Sequence, residues 1–326
     1  MSRLPEVLDL MADADVDVML LGREANARVV ADTARLWLAG TRAFAPGCVV
    51  VRATGRVHVL ANSEHLVPAG FPRDQMYGIT WNPQRLFGGL TAIPGVAGAR
   101  RVAVDGMTPG MHTLLTNALP GIDYVDAAAL LADLWRRPEA IAADAVERAA
   151  RVAESGMQAI VARLNPDVRL RALRGLAAFA FAEHGVTTPA FEAVVAPLDG
   201  TSSTWLAPDR ALVDGERVAV RVGALAHGWE ASLARTFVVG SPPHLSSPPP
   251  NWEALVAACM PGVTVGGLRR RAVVVYGAGR GVEPWDDDVE LVPGLMCALE
   301  LADERGVHQD VLRITDDGPV VVTRFA

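Results

Sequence analysis

In the first part of the chain, apolar runs alternate with segments whose apolar residues recur at helical spacing. Leu4, Val7 and Leu8 recur at helical spacing, whereas residues 16–21 (VDVMLL) are apolar except for Asp17, which is typical of a buried strand. Ala53-Thr54-Gly55 separates two Val-rich runs and indicates a β-hairpin. The predicted helices are 4–13, 83–91 and 111–119, and the predicted strands are 16–21, 48–52, 56–60 and 101–104. This alternation predicts an α/β domain, which we place at residues 1–136.

The rest of the chain begins with helices and continues with strands. Residues 139–164 are predicted to form a long amphipathic helix, because Ile141, Ala145 and Ala149 share one face. The other predicted helices are 170–183 and 252–260, and the predicted strands are 191–197, 217–224, 229–239, 272–276, 295–301, 311–314 and 320–323. We therefore predict a second domain at residues 137–326 with an antiparallel-rich sheet.

Composition disfavours several classes of function. The formal net charge is -7, and the basic residues are all arginines that form no basic stripe. Nucleic-acid binding is disfavoured, because phosphate neutralisation needs clustered cations. The three cysteines form no CxxC pair, and the N-terminal segment carries acids where a signal peptide needs an apolar run. No stretch approaches the about 18 apolar residues of a membrane span, so we expect a cytoplasmic protein that does not bind membranes.

Motifs in the second half occur in the order seen in a known family. Residues 221–224 read RVGA, residues 228–237 read GWEASLARTF, and residues 306–310 read GVHQD. Between them, Pro293-Gly294-Leu295 leads to Glu300. This order resembles the creatinase, aminopeptidase P and prolidase family (M24). The resemblance implies a pita-bread domain behind a creatinase-like N-terminal α/β domain, and it implies a homodimer.

The chain departs from that family at the positions that hold its two metals. The family uses two Asp, one His and two Glu as ligands, because two close dications must be neutralised by carboxylates. Aligned on the motifs, those five positions are Arg221, Ser232, Arg280, Glu300 and Gln309, and the substrate-loop His aligns with Thr204. We therefore expect neither a metal nor another cofactor.

Strand alternation suggests what the altered positions could do. Arg221, Glu230, Ser232, Arg280, Glu300 and Gln309 are expected to converge on one cavity. Two arginines suit a small anionic, amino-acid-like ligand, and Glu300 or Glu230 could act as a general base. The other predicted substrate-binding residues are Ser232, Gln309, Thr204 and His227.

Two functions remain open on this basis. One is a metal-independent reaction on, or binding of, the anionic ligand, including C–N bond hydrolysis or another non-peptidase reaction. The other is a catalytically inactive pseudo-peptidase that serves as a binding or interaction protein. In the simplest structural case, Arg–Glu pairs fill the space that the metals would occupy.

Overall fold

The structure is a computed structural model that describes residues 2–33, 46–61, 67–78, 80, 82–139, 141–186, 189–198, 210–271, 273–279 and 283–325. The chain forms two compact units, Met1–Leu134 and Trp135–Ala326. Over the described ranges, each unit contains one β-sheet. Among the helices described, none is both long enough and apolar enough to cross a membrane.

The first unit combines a mixed sheet with helices. Its helices are α1 (Leu4–Asp13), α2 (Glu24–Ala31), α3 (Pro83–Thr91), α4 (Pro109–Ala118) and α5 (Ala127–Trp135). Its strands are β1 (Val18–Leu21), β2 (Cys48–Val51), β3 (Arg56–Leu60), β4 (Met76–Tyr77), β5 (Arg101–Asp105) and β6 (Asp123–Asp126). The strand order is β4-β3-β2-β1-β5-β6 in the described part of the unit. Helix α2 was not predicted, because it spans only eight residues and its polar Asn26 and Arg28 are buried together with its apolar residues.

The second unit is built on an antiparallel sheet. Its helices are α6 (Ala142–Val161), α7 (Leu170–Glu183), α8 (Trp252–Ala257) and α9 (Val265–Arg269). Its strands are β7 (Val194–Pro197), β8 (Arg217–Ala226), β9 (Trp229–Val238), β10 (His244–Leu245), β11 (Val274–Gly277), β12 (Glu283–Pro284), β13 (Met296–Asp303), β14 (Gly306–Thr315) and β15 (Gly318–Val321). The main strand order among the described residues is β12-β11-β13-β14-β9-β8-β7, with β10 beside β9 and β15 beside β14. These pairings are all antiparallel.

Helices α6 and α7 cover one face of the β8–β9 hairpin. Val218, Val220 and Val222 of β8 are fully buried in the same apolar cluster as the helices. Because side chains alternate along a strand, Ala219 and Arg221 lie on the opposite face of β8. The packing of the helices therefore determines which side of the sheet carries the predicted site.

A two-residue turn sets the register of this hairpin. His227 and Gly228 connect β8 to β9 with φ angles of 51° and 82°. Positive φ at both turn residues is the conformation that matches the twist of a hairpin. The resulting register pairs Arg217 with Val238 at one end of the hairpin and Ala226 with Trp229 at the other. The predicted fold class, mixed α/β with an antiparallel sheet in the second half of the chain, is confirmed.

Candidate functional site

One row of residues crosses neighbouring strands on the face away from α6 and α7. The Cα partners in register are Arg221 with Ala234, Ala234 with Gln309, and Gln309 with Glu300. Directly paired residues of an antiparallel sheet point to the same face. Three of the predicted site residues therefore belong to a single row.

Arg221 and Glu300 form an ion pair above this row. Neighbouring strands lie about 4.8 Å apart, so these two residues would be separated by roughly 14 Å in a flat sheet. Ala234 and Gln309 lie between them in the row, and the side chains meet because Ala234 is small and the sheet curls toward this face. The Arg221 side chain is 33% exposed and that of Glu300 is 14% exposed, so the pair is only partly shielded from water.

A second polar contact lies next to the ion pair. The Nε2 atom of Gln309 donates a hydrogen bond to Oγ of Ser232 at 2.6 Å. Gln309 is completely buried, and its Oε1 atom has no hydrogen-bond partner among the described residues. A buried acceptor without a partner carries a free-energy cost, so this oxygen is suited to accept a hydrogen bond from a bound molecule.

Tyr276 joins the cluster, although the sequence did not single it out. It lies on β11 opposite Ala298, which is two residues from Glu300 on the same face of β13. Burial raises the pKa of Tyr276 to about 12, and the charge of Glu300 adds to this shift. Arg221 and hydrogen bonds with Ser232 and Gln309 act in the opposite direction. The hydroxyl is therefore protonated at neutral pH and can donate a hydrogen bond.

A signal for Tyr276 was present in the sequence. It ends an apolar run directly before Gly277-Ala278-Gly279, the segment aligned with the family's metal-ligating histidine. An aromatic residue with a polar tip, placed at the end of a buried strand, is suited to reach a cavity beyond that end.

The other predicted site residues lie apart from this cluster or outside the described residues. Glu230 shares a face with Ser232, two residues away on β9, and its backbone N–H donates to the Gly279 carbonyl. His227 is exposed in the hairpin turn, about 20 Å along β8 from Arg221. The structure therefore does not bring His227 to the cluster. Arg280 and Thr204 lie outside the described residues.

A buried polar network supports the opposite face of the row. The Arg235 guanidinium donates to Oδ1 of Asp310 and to the backbone carbonyl of Gln309, both at 2.7 Å. Arg235 and Asp310 are each only 4% exposed. Asp310 also accepts from Oγ1 of Thr323 at 2.6 Å and lies 3.2 Å from Nε2 of His308. His308 thus points away from Gln309, as strand alternation predicts.

This network predicts a loss of stability in acid. Burial opposes the ionisation of Asp310, but hydrogen bonding with His308, Arg235 and Thr323 and the charge of Arg235 hold the pKa of Asp310 below its usual value. A carboxylate whose pKa is lower in the folded state than in the unfolded state stabilises the protein at pH values above the unfolded-state pKa of about 3.9. That stability is lost as the pH falls through the folded-state pKa. Urea unfolding from pH 7 to pH 3 should therefore show a smaller acid-induced loss in Asp310→Asn than in the wild type. Equal losses would contradict this assignment.

Comparison with known proteins finds one family model that resembles part of the second unit. Residues 144–280 match the model of metallopeptidase family M24. That range covers α6, α7, β8 and β9, and it includes Arg221 and Ser232. This part of the second unit is therefore similar to the M24 family. A search of curated protein sequences found no match to the chain.

Solved structures similar to the chain share its fold over nearly its whole length. A prolidase from Pyrococcus horikoshii OT3 matches with a TM-score of 0.77 and 16% identity, covering 99% of this chain and 98% of that one. An X-Pro aminopeptidase from Thermotoga maritima MSB8 matches with a TM-score of 0.77 and 12% identity, covering 100% and 98%. An Xaa-Pro dipeptidase from Bacillus anthracis matches with a TM-score of 0.73 and 16% identity, covering 99% and 98%. The pita-bread fold expected for the second unit is confirmed.

The residues at this site do not fit the pair of divalent metals that the family resemblance implies. Across the described part of the chain, no group of three or more His, Cys, Asp or Glu side chains could hold a metal ion. At the positions aligned with ligands, Arg221 is a cation, Ser232 is a hydroxyl and Gln309 is a neutral amide. Glu300 is a carboxylate, but it is ion-paired with Arg221. Two dications need several carboxylates close together, and this donor set does not provide them.

Proposed function

We propose that this chain is a metal-independent M24 protein that binds a ligand on the concave face of its second unit and does not hydrolyse peptides. The observation that supports this most directly is the Arg221–Glu300 ion pair. In this pair, Glu300, the carboxylate that remains at the aligned ligand positions, is bound to the Arg221 guanidinium. That guanidinium also occupies the centre of the row. The proposal thus follows the second of the two functions left open by the sequence, a pseudo-peptidase with a binding role.

Electrostatics support the loss of metal dependence. A dication about 5 Å from a guanidinium is repelled by roughly 6 kcal/mol at an effective dielectric constant near 20. Glu300 cannot offset this repulsion alone, because its charge already compensates that of Arg221. The ion pair also prevents Glu300 from acting directly as a general base, because Glu300 could accept a proton from a substrate only after its contact with Arg221 opens.

The proposal is tested by measuring metal content and peptidase activity together. Purified protein is incubated with Mn²⁺, Co²⁺ or Zn²⁺, dialysed, and analysed for metal bound per chain and for hydrolysis of Xaa-Pro dipeptides. We expect well below one metal per chain and no hydrolysis above the buffer rate. Stoichiometric metal that is lost in Glu300→Gln, but retained in the exposed control Glu304→Gln, would overturn the proposal.

The small anionic ligand expected from the sequence stays an untested prediction, and the Arg221–Glu300 ion pair disfavours it. A carboxylate could reach the Arg221 guanidinium only by displacing Glu300 or by sharing Arg221 with it. A carboxylate ligand at 100 times its dissociation constant should stabilise the protein by about 2.7 kcal/mol. Arg221→Ala should abolish that effect, whereas Arg217→Ala on the same strand should retain it.

The homodimer and the cytoplasmic location also remain proposals, and sedimentation of the purified protein tests the first of them.

A further inference from the structure

A groove in the second unit opens beside the ion pair. Its volume is about 720 Å³, and Arg221 lies on its lining. This size falls within the range of about 300–1,000 Å³ typical of sites for small organic molecules. Most of the lining is apolar and includes Phe191, Val194, Leu198 and Val307. The groove is therefore large enough, and apolar enough, to bury an aliphatic or aromatic body.

The aromatic wall of this groove depends on a glycine. A Cβ atom at Gly223 would lie 2.6 Å from the Phe191 ring, which is closer than real contacts allow. Gly223 is paired with Ser232, so Phe191 covers the sheet directly next to the polar cluster. The apolar groove and the polar row are thus neighbouring parts of one concave surface.

The charges around the groove differ from those the sequence predicted. Glu192, Asp303 and Glu304 are exposed carboxylates on its lining. The basic residues on the lining are Arg174 and Arg221, and the charge of Arg221 is compensated by Glu300. Carboxylates therefore dominate the charge that a ligand would meet. A cation with an apolar body complements this surface better than an anion does.

We infer that the groove binds an organic ammonium ion, with its hydrocarbon body against Phe191, Val194 and Leu198 and its charged end near Glu192 and Glu304. This inference rests on the proposed function, because it names the ligand class of the same concave surface. Burial of the ligand's hydrocarbon body supplies affinity, whereas the exposed carboxylates favour a positively charged ligand over a negatively charged one.

The test is a calorimetric titration at low salt with two matched series of small molecules. The first series is butyl-, pentyl-, hexyl- and heptylammonium, and the second is the set of carboxylates with the same number of carbons. We expect the dissociation constants of the ammonium series to fall about fourfold per added methylene. Each carboxylate should bind at least about tenfold more weakly than the ammonium ion of equal length, and the difference should shrink as NaCl is raised from about 20 to 200 mM.

Charge-neutral variants connect the binding to the groove. Glu192→Gln/Glu304→Gln should weaken hexylammonium binding about five- to tenfold, because both exposed carboxylates are removed without loss of packing. The matched control is Asp316→Asn/Asp317→Asn, in the exposed turn about 30 Å away at the other end of β14. It should leave the affinity unchanged.

Several results would overturn the inference. They are equal or tighter binding of the carboxylates, no dependence on chain length, no binding of either series, or equal effects of the two double variants. None of these results would alter the metal content or peptidase activity that test the proposed function, so the two failures are distinguishable.

Discussion

Replacing Arg235 by alanine is expected to lower the free energy of unfolding by about 3–5 kcal/mol. Arg235 and Asp310 are both 4% exposed, so the substitution leaves a carboxylate buried without its cation. It also removes donors to the carbonyls of Ala234, Gln309 and Phe325. Denaturant unfolding monitored by tryptophan fluorescence should show this loss as a lower midpoint.

The control for this prediction is Arg217→Ala. Arg217 is exposed and donates to the carbonyls of Glu304 and Arg305, so its loss should cost no more than about 1 kcal/mol. The double variant Arg235→Met/Asp310→Leu removes both charges and should be more stable than Arg235→Ala, because no unpaired charge stays buried. If Arg235→Ala unfolded at the same denaturant concentration as Arg217→Ala, the role assigned to the buried pair would be wrong.

Sequence patterns predicted the helices and strands that depend on residues close together in the chain. Helix α7 spans Leu170–Glu183, as the apolar spacing and the following His184-Gly185 predict. The β8–β9 hairpin begins and ends within two residues of its predicted bounds, because alternation and the His227-Gly228 turn act over short distances. Helix α2 was missed because its eight residues are too few for a periodic pattern to be decisive and its polar Asn26 and Arg28 are buried.

The site was predictable only in part, because its pairing depends on strand order. The sequence placed Arg221 and Glu300 on one cavity, but alternation within each strand cannot reveal which strands become neighbours. Contact between these residues requires β8, β9, β14 and β13 to be adjacent in that order, with Ala234 between the two charged side chains. That pairing changes the expected ligand, since two free arginines favour an anion whereas a neutralised Arg221 does not.

The ion pair also connects the fold to the proposed loss of metal binding. Bridging metals hold strands together through ligands from several strands, and Arg221 and Glu300 link two strands of the same curled sheet directly. Gln309 lies between them in the row and contacts Ser232 through a neutral hydrogen bond. A set of contacts without net charge therefore spans four of the five positions where the family resemblance implies metal ligands.

Restoring the ligand set implied by the family resemblance is expected to raise Mn²⁺ affinity by at least about a thousandfold. The variant is Arg221→Asp/Ser232→Asp/Arg280→His/Gln309→Glu, which leaves Glu300 without its cation and adds three carboxylates beside it. Removing a repulsion of roughly 6 kcal/mol corresponds to a gain of about four orders of magnitude in affinity. Incomplete relaxation of the site will reduce this gain, which is why we expect a rise of at least about a thousandfold. Titration calorimetry with MnCl₂ measures the change against the wild type.

The decisive control keeps the guanidinium. The triple variant Ser232→Asp/Arg280→His/Gln309→Glu has three of the four new ligands but retains Arg221, which should continue to neutralise Glu300 and repel the metal. Its Mn²⁺ affinity should be at least about a hundredfold lower than that of the quadruple variant, provided that circular dichroism shows both to be folded. Equal affinities of the two variants would contradict the claim that Arg221 is the group that prevents metal binding, because the remaining substitutions would then account for the whole gain.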